Sequence, residues 1–181
     1  MLFIFLPHRC PVKARMTGFT IAEVLITLAV LGVTISLGLP SFGIFLESNQ
    51  LRSNTDDMYS SLFMARSEAV TRNTTVSLCK INLSSADSCN NSENWQSGWI
   101  AFVDLNADGV RDNGETILDT YTGMSANSSV SSTNFANFIS FQPSGYTNSS
   151  GTINICVNSN SAQDIFINAT GRSRIAEASC P

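Results

Sequence analysis

Residues 18–40 read GFTIAEVLITLAVLGVTISLGLP, and the fold turns on how that run is read. From Phe19 to Leu39 there is one charge, Glu23. The run is about 20 residues long, the length one helix needs to span a hydrocarbon core. Arg9, Lys13 and Arg15 precede it, with His8 alongside. Basic residues on that side hold an N-terminus in the cytoplasm, so the chain beyond Pro40 is expected outside it. No small-x-small cleavage site follows the apolar core, as it would in a secretory signal, so the span is expected to be kept. Pro40 removes a helical hydrogen bond and crowds the preceding turn, which predicts a kink.

The helical pattern continues to Arg72. Leu51, Thr55, Met58, Leu62, Ala65 and Ala69 recur at spacings of four and three, which is one face of a helix. Phe63 and Val70 read as widening that stripe, and Asn73 as its stop. Beyond Asn73 the period becomes two. Strands are expected near 74–80, 98–105, 115–121, 138–142, 151–158 and 163–168. The clusters SSADSCNNSEN, NADGVRDNG, NSSVSSTN and PSGYTNSSG read as the turns between them. A helix followed by consecutive short strands predicts an α+β fold, with a mainly antiparallel sheet covered on one face by the helix. Phe102, Ile117, Phe141, Ile155, Val157, Ile165 and Ile167 are the expected strand core.

The 181 residues suit one globular domain plus a membrane segment. Only 13% of residues are charged, and Ser, Thr and Asn abound from residue 48 onward. That balance fits an extracytoplasmic domain of strands and turns. Cys10 precedes the span; Cys79, Cys89, Cys156 and Cys180 follow it. Four cysteines in an oxidising space predict two disulfides, with three pairings open. Cys79–Cys89, closing a short Ser/Asn loop, and Cys156–Cys180, tying down the C-terminus, are favoured. Zinc is the rival reading, weakened by the lack of a CxxC pair and by His8 being the only histidine. No enzyme is expected: past residue 18 there is no histidine and no phosphate loop. Trp95 and Trp99 read as core or loop anchors.

DLNADGVRDNGE, 104–115, fits the calcium-loop pattern D-x-[DN]-x-[DN]-G-x5-E. Asp104, Asn106, Asp108 and Glu115 would supply side-chain oxygens, Val110 a carbonyl and Asp112 a ligand through water. The flanking segments are strands rather than helices. The competing reading is a hairpin loop in which Asp and Asn bond their own backbone and Gly109 takes positive φ. No other cofactor is indicated.

Near the C-terminus, GRSR places Arg172 and Arg174 on alternate positions of an extended segment, so both face one way. Planar guanidinium groups suit phosphate oxygens, and Gly171 permits close backbone approach. The competing reading pairs both arginines with acids such as Asp164 or Glu177.

The motif GFTIAE with its apolar run resembles the class III signal of type IV prepilins and pseudopilins. The segments RSEAVTRNTTVSLC (66–79), WQSGWIAFVDLNADGVRDNGE (95–115) and ATGRSRI (169–175) resemble the FimT/GspH group of minor pilins and pseudopilins. One departure is the leader, which begins MLFIFLP where such leaders are short and polar. The resemblance implies cleavage after Gly18 by a prepilin peptidase and methylation of Phe19, dividing the chain into a leader 1–18, a transmembrane and assembly helix 19–47 and a globular domain 48–181. Glu23 would then neutralise the Phe19 amine of a neighbouring subunit, because a buried carboxylate needs a partner. It implies an inner-membrane protein with a periplasmic domain, later carried to the cell surface in a pilus with other pilins. FimT-like minor pilins associate a C-terminal GRxR with DNA binding in natural transformation, and Gly171, Arg172 and Arg174 match it. Losing residues 1–18 would remove three of the ten basic residues and none of the fourteen acidic ones, moving the net charge from −4 to −7. DNA contact must therefore be local. The alternative is a minor pseudopilin of a type II secretion system without DNA contact.

Overall fold

The computed structural model describes residues 18–181, with only the backbone of 37–41. The basic leader residues and the cleavage segment before Gly18 lie outside the described residues. So does the packing of Pro40, and with it the expected kink.

Helix α1 runs over Ile21–Arg72, 52 residues. Thr20 starts it: its Oγ1 accepts the Glu23 N–H at 3.2 Å, and its carbonyl accepts the Val24 N–H. T-x-x-E is the spacing of a capping box, so Glu23 stands in the first turn, where the helix dipole favours an anion. Asn73, with φ of 53°, ends the helix in the left-handed region. A boundary between two compact units falls within α1, between Phe42 and Gly43. From Ile21 to Ser36 every side chain is exposed, including Leu25, Ile26, Leu28 and Val33. Among the described residues, no helix is long and apolar enough to cross a membrane.

In the second unit the strands are β1 (Val76–Asn82), β2 (Ser85–Cys89), β3 (Trp99–Val103), β4 (Ile117–Tyr121), β5 (Ser128–Thr133), β6 (Phe138–Phe141), β7 (Gly151–Val157), β8 (Ser161–Ile167) and β9 (Ser173–Ala178). They form two antiparallel sheets rather than one. The first has the order β2-β1-β3-β4, with β6 also paired to β1; the second is β5-β7-β8-β9. The stretches SSADSCNNSEN and NSSVSSTN, expected as turns, thus contribute strands β2 and β5. β9 makes a third addition.

Leu51, Thr55, Met58, Leu62, Ala65 and Ala69 are all buried. Apart from Thr55, they share one core with Leu78 and Phe141 of the first sheet and with Ile153, Ile155, Val157, Ile165 and Ile167 of the second. The helix therefore covers the inner faces of both sheets. Phe63 and Val70 do not widen the stripe: they are 66% and 52% exposed. Each follows a buried residue by one position, which turns it about 100° away on a helix.

A second cluster, Cys79, Ile81, Ile100 and Phe102, lies on the other face of the first sheet. Ile117 packs against it only partly buried. Cys79–Cys89 and Cys156–Cys180 are bonded, with Cα atoms 5.6 and 5.4 Å apart. Trp95 and Trp99 are buried; the Trp95 indole N–H donates to the Phe135 carbonyl, and Trp99 stacks on Tyr121.

Candidate nucleic-acid interface

The β8–β9 turn is built by Asn168. Its carbonyl accepts the Gly171 N–H at 2.9 Å, and its Oδ1 accepts the Arg172 N–H at 2.9 Å and the Thr170 hydroxyl at 2.7 Å. Gly171 has φ of +72°, and a Cβ there would fall 2.1 Å from the Gly145 carbonyl oxygen. No other residue type fits this position without moving the turn. Arg66 of α1 reaches the same place. Its Nε donates to the Gly145 carbonyl and its Nη2 to the Thr170 carbonyl, both at 3.1 Å. One guanidinium thus ties the helix to two turns, using the fork geometry that lysine lacks.

Arg172 and Arg174 follow that turn. Both are exposed. Arg174 pairs across strands with Phe166, and Phe166 with Thr152. The three share the face of the second sheet that looks away from the core. The Arg174 guanidinium lies over the Phe166 ring, 4.3 Å from its centre. Arg172 and Arg174 line a groove of about 610 Å³ with Gly151, Thr152, Phe166 and Asn168. Arg172 also borders a smaller cleft, of about 230 Å³, shared with Tyr59, Phe63 and Arg66.

Among the described residues, neither arginine forms the ion pair of the competing reading. Among the described residues, the ion pairs are Arg72 with Glu68 and Arg111 with Asp87. Asp164 instead accepts the Asn154 amide at 2.7 Å. Two further basic residues, Lys80 and Arg111, are held elsewhere. Lys80 donates to the Asn91 carbonyl, and burial lowers its pKa despite Glu93 nearby. Arg111 donates to the carbonyls of Asp87 and Glu115.

Segment 104–115 folds back over the second cluster. Asp104 is buried and accepts the N–H groups of Asp108 and Gly109 and the Ser77 hydroxyl. Glu115 accepts the N–H groups of Leu105 and Asp112, at 2.7 and 2.8 Å. The Asn106 amide donates to Asp108 and Asp112. Gly109, at φ +75°, lies so close to the Phe138 ring that a Cβ would meet it at 2.3 Å. Among the described residues, no group of three or more acidic, histidine or cysteine side chains is placed to hold a metal ion.

Sequence reasoning missed Arg66, Phe166 and Thr20. Arg66 could have been found as a basic residue flanking the stripe between Leu62 and Ala69. Thr20 was signalled by T-x-x-E. For Phe166 the signal was its place between Ile165 and Ile167, which puts a large aromatic on the outer face.

A long N-terminal helix over two antiparallel sheets, with the chain ending on a sheet edge, defines a pilin-like fold. It is similar to the crystal structure of the type IV minor pilin FimU from Pseudomonas aeruginosa strain PAO1. That match has a TM-score of 0.59 and 22% identity, covering 76% of this chain and 99% of that one. A second crystal form of FimU gives a TM-score of 0.55 at 19% identity, covering 72% and 100%. The minor pseudopilin EpsH of the type 2 secretion system of Vibrio cholerae gives 0.51 at 9% identity, covering 71% and 97%. These likenesses are of fold. No curated protein matches the sequence. The family described as type II transport protein GspH matches residues 54–171, and the chain belongs to that family.

Proposed function

We propose that this chain is a minor type IV pilin that binds extracellular DNA without sequence preference and takes part in natural transformation. The observation that carries the reading is the pair Arg172 and Arg174, exposed on one sheet face, outside any ion pair among the described residues, beside a glycine-locked turn. Phosphate oxygens would complete both guanidinium groups, giving contacts that are local, sequence-independent and salt-sensitive.

The remaining steps rest on the GFTIAE motif. A prepilin peptidase would cut after Gly18, and Phe19 would be methylated. The apolar part of α1 would hold the chain in the inner membrane, with the domain in the periplasm, until assembly. A helix that is bare and apolar on all sides, as Ile21 to Ser36 is, needs lipid or neighbouring helices around it. Other pilins would supply those neighbours, with Glu23 facing a neighbour's Phe19 amine.

The test is DNA binding by the detergent-solubilised full chain across a salt series. Arg172→Ala and Arg174→Ala should each reduce the log–log salt slope by about 1. Absence of binding at low salt would sink DNA capture. It would leave a second reading, a minor pseudopilin of a type II secretion system, which the family description itself favours. Restoration of secretion in a strain lacking its own minor pseudopilin would support that reading.

A further inference from the structure

Resting on the DNA-capture reading, we infer that the groove beside Arg174 takes an unpaired nucleobase, so that the protein prefers single-stranded DNA to duplex. Both arginines can meet phosphate through their N–H edges. Arg174 is placed differently: its guanidinium lies on the Phe166 ring, 4.3 Å from the centre. That contact aligns and desolvates one face of the cation. Arg174 also lines the groove, together with Thr152, Phe166 and Asn168.

A planar group on a sheet surface, next to a phosphate-sized cation, is the arrangement that binds single strands. Bases stack on aromatic or guanidinium planes while basic residues follow the backbone. At about 610 Å³ the groove falls within the size range of ligand pockets. Arg172, two residues away and lining the same groove, is positioned for the adjoining phosphate. Asn168 is mostly occupied: its Oδ1 accepts from Arg172 and Thr170, so it shapes the groove rather than reading the base edge. The stack is therefore indifferent to which base enters. A duplex keeps its bases stacked on one another and presents only phosphates to the same surface.

The full chain in detergent is titrated, at one fixed salt concentration, with three labelled DNAs of equal length. These are a single strand, its duplex, and an abasic single strand with the same phosphates. The single strand should bind about fivefold or more tightly than the abasic strand, because each stacked base contributes measurably. Phe166→Leu removes the ring, and Arg174→Lys keeps the charge but not the plane. Each should erase that ratio, and Phe166→Leu should leave abasic binding within about twofold of the parent. Circular dichroism identifies a variant that has not folded, and the other then decides. Equal binding of base-bearing and abasic strands by the parent overturns the inference and leaves phosphate capture standing. Duplex binding as tight as single-strand binding also overturns it. If none of the three binds, both readings fall together.

Discussion

Arg66 touches no proposed ligand, yet it decides where Arg172 lies. Its two hydrogen bonds fix the turns at Gly145 and Thr170, and Gly171 closes against Gly145. Charged hydrogen bonds of this kind contribute about 1.5–3 kcal/mol each, less where they are partly solvated. Arg66→Ala should lower the melting temperature and weaken DNA binding, while leaving the salt slope unchanged. A slope reduced by about 1 would mean that Arg66 itself meets a phosphate. Arg66→Lys should not rescue either property, since one ammonium cannot reach two divergent carbonyls. Tyr121 offers a test with a pH signature. It stacks on Trp99 and donates to Asp57 at 3.1 Å. Burial first, then the negative charge of Asp57, push its hydroxyl up to about 12. The folded state thus keeps a proton that the unfolded state loses near pH 10, so its contribution is whole below pH 10 and fades as pH rises toward 12. In urea denaturation, the stability gap between the parent and Tyr121→Phe should narrow from pH 9 to 11. A gap that stayed constant would show that the hydroxyl does not titrate with folding.

The elements were unequally legible. The α1 stripe could be read almost residue by residue, because a helix burying one face against two sheets repeats its apolar positions at 3.6. The central strands could be read for the same kind of reason, having a buried face. β2, β5 and β9 escaped, and all three are edge strands. An edge strand is fixed by backbone bonds to one neighbour, so SSVSST or SADSC needs no apolar alternation. β9 is the consequential omission, since it carries Arg174 opposite Phe166. Glu23 changed meaning as well. Besides its proposed partner in a neighbouring chain, it stands in the first turn of α1, its backbone N–H held by the Thr20 cap. Glu23→Ala and Glu23→Gln both remove the charge that the helix dipole favours, and Gln keeps the size of the side chain. Both variants should enter the membrane and assemble poorly. Normal incorporation of Glu23→Gln would leave only the helix-start role. In segment 104–115 the carboxylates already bind backbone N–H groups, so millimolar calcium should leave the melting temperature unchanged. Calcium saturating a native site would raise stability by about 2.7 kcal/mol at a hundredfold excess over its dissociation constant, which a melt would register as several degrees.

At the scale of the whole molecule, the arginines act against the rest of the charge. With residues 1–18 removed the net charge would be −7, yet two arginines line one groove on the second sheet. The acidic segment 104–115 belongs to the first sheet, where it lies over the Phe138 side of the cluster. Ionic strength should separate the two. Release of counterions from about two phosphates predicts a log–log slope near −2. That term favours binding as salt falls. Repulsion between DNA and the remaining carboxylates works in the other direction, and its reach is about 10 Å at 0.1 M but about 30 Å at 0.01 M. At moderate salt only the arginines next to the strand are felt. At low salt the distant carboxylates are felt too. The affinity of the cleaved protein should therefore rise with slope near −2 from about 0.2 to 0.05 M and then flatten toward 0.01 M. The uncleaved chain, carrying Arg9, Lys13 and Arg15, should flatten less. A plot that stays straight to the lowest salt for both forms would mean that the local patch is screened from the molecule's own charge.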